Sequence, residues 1–429
     1  MNEPIFVGID WATESHVVCV LDAHGNVLAR HEVRHRATDL AELCDSLARL
    51  VDHEPQRILV AIEVPHGAVV DTLLERHFVV HSINPKQLDR FRDRFTAAAA
   101  KDDRRDAHVL ADSLRTDPRA FRRLSADEPL VIELREFSRM HEEISRERVQ
   151  LTNRLREQIR RYFPAFLDVA KDPGDAFSQA LFRLVPTPDR AHQVKPYRIA
   201  KLLKEHRIRR IEAAEVLAKL REPKLIVADG TTTAAIAHIH LLHERLAMLI
   251  QQQKQVQKSI ERLLQDSPRC HAQSEPGDAD ATSSDSELPQ SNRSAQRDAA
   301  ILLSIPGVGR TIVATLLAEG SRLIALRDYQ GLRALSGIAP VTRSSGKRLT
   351  VAMRKACHGR LRNAMHAWAF VAMQHDPKSK ARYQELRARG ATIGRALRTV
   401  ADRLLRIACA MLRDQSMWDP TAHDSSAAA

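Results

Sequence analysis

Four carboxylates stand where they could do chemistry. Asp10 closes the apolar run Phe6-Val7-Gly8-Ile9-Asp10, and Glu63 sits near the end of another, Val60-Ala61-Ile62-Glu63-Val64. A carboxylate at the end of an apolar strand is costly to bury unless it is paired or ligates a cation. Asp103 and Asp106 follow on a predicted helix, where a three-residue separation puts both on one face, able to converge on one ion. The run Asp102-Asp103-Arg104-Arg105-Asp106 permits another pairing through Asp102; the spacing selects Asp103. Oxygen donors from separate elements suit one or two Mg²⁺ or Mn²⁺ ions, which orient a phosphodiester and stabilise charge on the attacking and leaving oxygens. Taken singly, Asp10 could cap a turn, Glu63 could pair with an arginine and Asp103 could be an N-cap. Taken together, a strand-end Asp, a strand-end Glu and a helical DxxD are a stronger signal of metal-dependent phosphoryl transfer than any one of them.

A second group lies near the C-terminus. Ser304-Ile305-Pro306-Gly307-Val308-Gly309 precedes a helical run from Thr311 to Glu319. It resembles a helix-hairpin-helix turn, whose glycines let backbone N–H groups approach a DNA phosphate; a plain interhelical turn has the same composition. Farther on, Gly337-Ile338-Ala339-Pro340-Val341-Thr342-Arg343-Ser344-Ser345-Gly346-Lys347-Arg348 sets two serines among cations. Cations beside a hydroxyl lower the cost of alkoxide formation and hold a scissile phosphate, as a nucleophilic serine needs. As local sequence it is also an ordinary polar loop. The five cysteines (Cys19, Cys44, Cys270, Cys357 and Cys409) include no CxxC pair. They read as reduced thiols, and the neighbours Cys270-His271 and Cys357-His358 diverge too far in direction for a metal or thiol-protease site.

These residues need a frame. At 429 residues the chain exceeds one ordinary core, so two or three domains are expected. Lys and Arg number 66 against 54 Asp and Glu, a formal net charge of +12, which favours a polyanionic partner. The N-terminus lacks the basic segment and apolar core of a signal peptide, and no apolar run approaches about 20 residues; a soluble, cytoplasmic protein is expected. Short β-rich runs at Ile5 to Asp10, Val17 to Leu21 and Val27 to Val33, with Gly25-Asn26 at a turn, predict an antiparallel meander. Ile58 to Val64, a helical His66 to Arg76 and Phe78 to Ile83 carry it into a β-α-β arrangement, and this order resembles a ribonuclease-H-like domain over residues 1–125. Ala107, Leu110, Ala111 and Leu114 mark a helix across Lys101 to Arg115.

The remainder is helical, giving an α+β, mostly helical chain. Leu130, Phe137, Ile144 and Leu151 recur every seventh position, with Leu134 and Leu155 between them. Leu242, Leu249, Val256 and Leu263 repeat the pattern, with Leu246 and Ile260. Both are coiled-coil signatures, predicting an antiparallel stalk or dimerisation arm over 126–266 with shorter helices inserted. The insertion carries a basic cluster of Lys201, Lys204, Arg207, Arg209 and Arg210, readable as a solvated face or a phosphate contact. Ser267 to Arg297 is too polar to fold and reads as a flexible linker (267–298). A helical domain follows over 299–414, with a disordered tail over 415–429.

With these motifs in order, the chain resembles the DEDD-type insertion-sequence transposases, the bridge-RNA-guided serine recombinases with a RuvC-like N-terminal domain and a C-terminal transposase domain. The resemblance rests on Val7-Gly8-Ile9-Asp10, Ile62-Glu63, Ala100-Lys101-Asp102-Asp103-Arg104-Arg105-Asp106-Ala107, Ile305-Pro306-Gly307-Val308-Gly309 and Arg343-Ser344-Ser345-Gly346-Lys347. It implies that Asp10, Glu63, Asp103 and Asp106 are the acidic tetrad, and that Ser345, directly before glycine, is the nucleophile, with Ser344 the fallback. It further implies a covalent phosphoserine link to DNA, strand exchange between donor and target DNA, a structured noncoding guide RNA, and a homo-oligomer, dimer to tetramer, with composite active sites. The long polar segment Ser267 to Arg297 departs from the pattern beside the stalk.

Two other functions account for part of the sequence. A metal-dependent nuclease or Holliday-junction resolvase uses the four acids and leaves the serine motif idle. A noncatalytic nucleic-acid-binding protein uses the charge and the long helices and leaves the acids without purpose.

Overall fold

A computed structural model describes residues 3–93, 102–265, 290–345 and 348–419, in two compact units, Met1–Asp127 and Glu128–Ala429. The first is built on a mixed sheet. Strands β1 (Ile5–Asp10), β2 (Ser15–Leu21) and β3 (Val27–Arg34) form the meander. Gly25, at φ 90°, turns β2 into β3, where Asp22 accepts the amides of His24 and Asn26 at 2.9 and 2.8 Å. Helix α1 (Ala37–Leu50) leads to β4 (Ile58–Ile62), α2 (Ala68–Glu75), β5 (Val79–Ser82), α3 (Pro85–Arg92), α4 (Asp103–Thr116) and the short β6 (Arg122–Arg123). The strand order is β3-β2-β1-β4-β5-β6, with β1, β4 and β5 parallel and the other pairings antiparallel. This mixed sheet is consistent with the ribonuclease-H-like expectation.

Strand alternation gives the sheet two faces. Val7 and Ile9 lie with Leu40, Leu43, Cys44 and Leu47 of α1 and Val69, Val70 and Leu73 of α2 in one core. The other face meets α4: Ala61 packs with Val109, Leu110 and Leu114, and Cys19 and Leu21 with Ala107 and Ala111. The apolar spacing along α4 produces this contact, and Asp102 starts the helix by accepting the Arg104 amide at 3.2 Å.

The second unit is helical. Two long helices, α5 (Pro129–Arg160) and α11 (Thr231–Gln265), flank five shorter ones, α6 to α10 (Ala165–Val169, Ala176–Leu184, Pro188–Gln193, Pro196–Glu205 and Ala213–Leu220). The long helices run antiparallel. Leu151, Leu155 and Ile159 share a core with Leu242, Leu246 and Leu249, whereas Leu134 shares another with Val256, Ile260 and Leu264. Between the cores, Gln253 donates to Ser145 Oγ at 2.8 Å and accepts from Arg148 at 2.9 Å. Near the end of α11 the buried residue is Leu264, with Leu263 partly buried, a one-place departure from the heptad expectation.

After residues outside the description come α12 (Gln290–Ser304), α13 (Arg310–Glu319), α14 (Ser321–Ala325), α15 (Tyr329–Leu335), a hairpin of β7 (Val341–Ser345) and β8 (Arg348–Ala352), then α16 (Gly359–His375), α17 (Pro377–Ala388) and α18 (Ile393–Asp414). Two expectations change here. Residues 290–297, read as linker, are already helical. The stretch around the serines, within a domain read as helical, is a β-hairpin: Val341, Thr342, Thr350 and Val351 are β-branched and favour a pleated strand. The linker residues 267–289 and the tail residues 420–429 lie outside the described residues. Among those described, no helix is long and apolar enough to cross a membrane.

Candidate active site

The acids are positioned by strand register. In the parallel pair β1 and β4, Gly8 faces Ala61 and Ile9 faces Ile62, so Asp10 and Glu63, the next residues, stand at neighbouring carboxyl ends. Alternation sends Asp10 to the side of Gly8, and Glu63 to the side of Ala61, the side covered by α4. Gly8 makes that approach possible. A Cβ there would lie 1.9 Å from the Ala107 carbonyl oxygen and 2.6 Å from the Ala111 amide nitrogen, so only glycine lets α4 lie this close to β1. The close packing brings the first turn of α4, and Asp106 with it, against the sheet.

Asp106 is 2% exposed. Arg92, the last residue of α3, donates to its two oxygens from Nε and Nη2 at 2.8 and 3.0 Å, a charge-assisted fork. The same guanidinium lies 3.9 Å from Glu63 and 2.6 Å from Asp89. Burial alone would depress the Arg92 pKa; the carboxylates of Asp106 and Asp89 outweigh it and raise it. Glu63 and Asp106 thus share one cation. Asp103 is exposed at the start of α4, one turn before Asp106, and Asp102 is occupied in capping. Among the described residues, no three His, Cys, Asp or Glu side chains are arranged to hold a metal ion. Arg92 and Asp89 carry no signal in the sequence, where arginines crowd the stretch from 90 to 94. Beside Asp10, Trp11 is 39% exposed and stacks on His16 with ring centroids 6.2 Å apart. His16 is itself buried and hydrogen-bonded to His35 at 2.9 Å.

As a donor set for a divalent ion, these residues are all hard carboxylates. The position between Glu63 and Asp106 already stabilises a positive charge, that of Arg92. The set therefore fits Mg²⁺ or Mn²⁺ in type and charge.

In the second unit, Ser345 ends β7, and the antiparallel register pairs it with Arg348 and Ser344 with Leu349. Gly346 and Lys347, between the strands, lie outside the described residues, as do the side chains from Arg343 to Leu349. The hairpin's root is anchored to helices. The His358 amide donates to the Leu335 carbonyl at 2.7 Å and the Ala339 amide to the Arg333 carbonyl at 2.9 Å. Gly337, at φ 71°, leaves room for Cys357 Sγ, which a Cβ would meet at 2.7 Å. Beneath the root, the buried Glu319 carboxylate holds Arg139 at 3.1 Å, Arg360 at 3.0 Å and His358 at 3.5 Å. Burial by itself would raise the Glu319 pKa, but Arg139, His358 and Arg360 hold it below the usual carboxylate range. Burial keeps His358 low despite Glu319.

The glycine turn divides its roles. Gly307, at φ 78°, lies against α16, where a Cβ would meet Ala372 Cα at 2.6 Å, and the Pro306 carbonyl accepts the buried Trp368 indole at 3.2 Å. Its glycine serves helix packing. Gly309 faces open space ahead of α13.

Comparison with known proteins bears on both units. A DEDD transposase model of IS110 type matches residues 7–164, and a model for the IS116/IS110/IS902 transposase family matches residues 299–384. A candidate mini-circle transposase for IS117 from Streptomyces coelicolor is 31% identical over 419 residues, covering 94% of this chain and 92% of that protein. A candidate transposase, y4uE, from Sinorhizobium fredii is 54% identical over 209 residues, which cover 48% of this chain and 58% of the relative. The uncharacterized 44.8 kDa protein of insertion element IS116 from Streptomyces clavuligerus is 27% identical over 98% of this chain and 97% of its own length.

Proposed function

The chain belongs to the IS116/IS110/IS902 family of transposases, and on that premise we propose that it is the recombinase of an insertion sequence, cutting and rejoining DNA through a serine nucleophile. The observation that carries the acidic half of this reading is the shared register of Asp10 and Glu63 on β1 and β4, with Asp106 joined to Glu63 through one guanidinium. Asp10, Glu63, Asp103 and Asp106 would hold Mg²⁺ or Mn²⁺, which when bound supplies charge stabilisation on phosphate oxygens. Arg92 is the residue that has to release Asp106.

Ser345 is the nucleophile in this proposal. Its hydroxyl oxygen attacks a DNA phosphorus; the P–O bond to the leaving strand breaks, and that strand's oxygen takes the serine proton. The phosphoserine ester conserves the bond energy. A strand-end hydroxyl from the second DNA then attacks the ester phosphorus; the P–O bond to serine breaks, and the proton of the attacking hydroxyl passes to the serine oxygen. Arg343, Lys347 and Arg348, adjacent in sequence, supply positive charge for the phosphate. By family likeness, a structured noncoding RNA selects donor and target DNA, and the protein acts as a homo-oligomer, dimer to tetramer, in which α5 and α11 form the stalk.

Ser345→Ala, Ser344→Ala and Asp106→Asn separate the roles in a strand-exchange assay with guide RNA, donor and target. Ser345→Ala and Asp106→Asn are expected to lose exchange by at least about 10³-fold while Ser344→Ala keeps it. All three are expected to retain DNA and RNA binding. Exchange that persists in Ser345→Ala and fails in Ser344→Ala moves the nucleophile one place; cleavage that persists in both rejects the serine mechanism.

A further inference from the structure

Between the two long helices, residues 195 to 221 hold nine Lys and Arg against three Glu, so this short insertion contributes half of the chain's formal net charge of +12. The concentration is local, and two of these cations, Lys201 and Lys219, lie near Glu205 and Glu215 at 3.9 and 3.2 Å. Lys204, Arg207 and Arg209 line an open concavity of about 370 Å³, with Leu203 and Ile208 contributing apolar wall. All three are exposed, and none has an acidic partner among the described residues, whereas Lys201 lies 3.9 Å from Glu205. The backbone is turned to present them. Helix α9 ends with the Arg207 amide donating to the Lys204 carbonyl at 3.1 Å and the Ile208 amide to the Leu203 carbonyl at 2.9 Å. This places Arg207 at φ 54°, a left-handed position where glycine or asparagine is favoured.

The same helix contributes an aromatic ring. Tyr197, Lys201 and Lys204 follow one another at helical spacing along one side of α9, and Tyr197 is 62% exposed. A cluster of unpaired cations on the same short segment as an exposed ring supplies the elements of single-strand recognition: the phosphates meet the charges and an unpaired base stacks on the ring. A duplex offers the phosphates but keeps its bases stacked away from the tyrosine.

We propose that the α9–α10 corner is a binding site for an unpaired nucleic-acid strand, with Lys204, Arg207 and Arg209 on the phosphates and Tyr197 on a base. The site is independent of the serine chemistry.

The test uses the full chain, fluorescein-labelled dT20, rU20 and a 20-base-pair duplex, and anisotropy across a salt series. In Lys204→Ala/Arg207→Ala/Arg209→Ala the slope of log K against log salt is expected to fall by about two, since each single-strand phosphate contact contributes roughly 0.7. Tyr197→Ala is expected to weaken strand binding roughly five- to hundredfold, with duplex binding unchanged and Tyr197→Phe restoring it. Whichever of dT20 and rU20 loses affinity in the triple variant identifies the strand. Arg207→Gly guards against misfolding: it relieves the left-handed backbone, so its Tm is expected to rise while strand affinity drops. Unchanged slopes in the triple variant on both strands, or equal losses on strand and duplex in Tyr197→Ala, overturn the proposal.

Discussion

Arg92 has the most informative position of any single residue in the first unit. Its fork holds Asp106, which is almost fully buried, while the same group reaches Glu63 and Asp89. Breaking a buried pair leaves an uncompensated charge, at a cost of about 3 kcal/mol or more, moderated here because the arginine itself is 27% exposed. A divalent ion restores the charge balance where alanine cannot. Arg92→Ala should therefore have a lower Tm without metal and a larger Mn²⁺-induced rise in Tm than the wild-type protein. A rise no greater than wild type's means that Mn²⁺ does not enter where the guanidinium sits. Of these residues the sequence showed the acids, because a charged residue at the end of an apolar run is conspicuous. It gave no sign of Arg92, since the partner of a buried acid is chosen by tertiary packing.

Elements position the acids through one close contact, α4 on β1. Gly8 has no side chain in a strand where every other inward position carries one, and the carbonyl of Ala107 fills the space. Gly8→Ala forces the two backbones apart, with an expected loss of about 3 kcal/mol from overpacking. Urea denaturation measures this, and a loss under about 1 kcal/mol would show that α4 can slide without penalty. The meander, β4, α2 and α4 were legible in alternation and helical spacing. Helix α1 carried an equally clear signal in Leu40, Leu43, Cys44 and Leu47, one that could have been read. The serine hairpin was harder: a pair of five-residue strands around Gly346-Lys347 has the composition of a polar loop, and its pairing becomes visible only once both strands are placed. An isolated two-stranded ribbon is marginally stable by itself, which is why its root is tied to Leu335, Arg333 and Glu319's cation cluster. The heptads of α5 and α11 correctly paired the two helices, but sequence periodicity could not reveal that each end of the pair is absorbed into a different core.

At the scale of the whole molecule, buried titratable groups set a common pH response. Burial lowers the pKa of His16, His141, His243 and His358, and Glu319 is held low by its arginines against the effect of burial. A group whose folded pKa is depressed contributes stability that is present above its unfolded pKa and lost as pH falls through the folded value. Tm is therefore expected to fall as pH drops below about 6.5, the unperturbed histidine value, and to fall further below the ordinary carboxylate range as Glu319 protonates. Calorimetry from neutral to acid pH checks the sign; a Tm that holds or rises on acidification contradicts it. Length and charge indicated several domains and a polyanionic partner, while the division at Asp127 rests on three-dimensional contacts that composition does not encode. In the proposed mechanism Ser345 carries DNA covalently. The direct measurement is to incubate the protein with Mg²⁺, guide RNA and radiolabelled donor and target DNA, denature in detergent, and resolve on a gel. The serine mechanism predicts label migrating with the protein, present in wild type and absent in Ser345→Ala; cleaved DNA with no protein-linked label in wild type would instead assign the cut to water and contradict it.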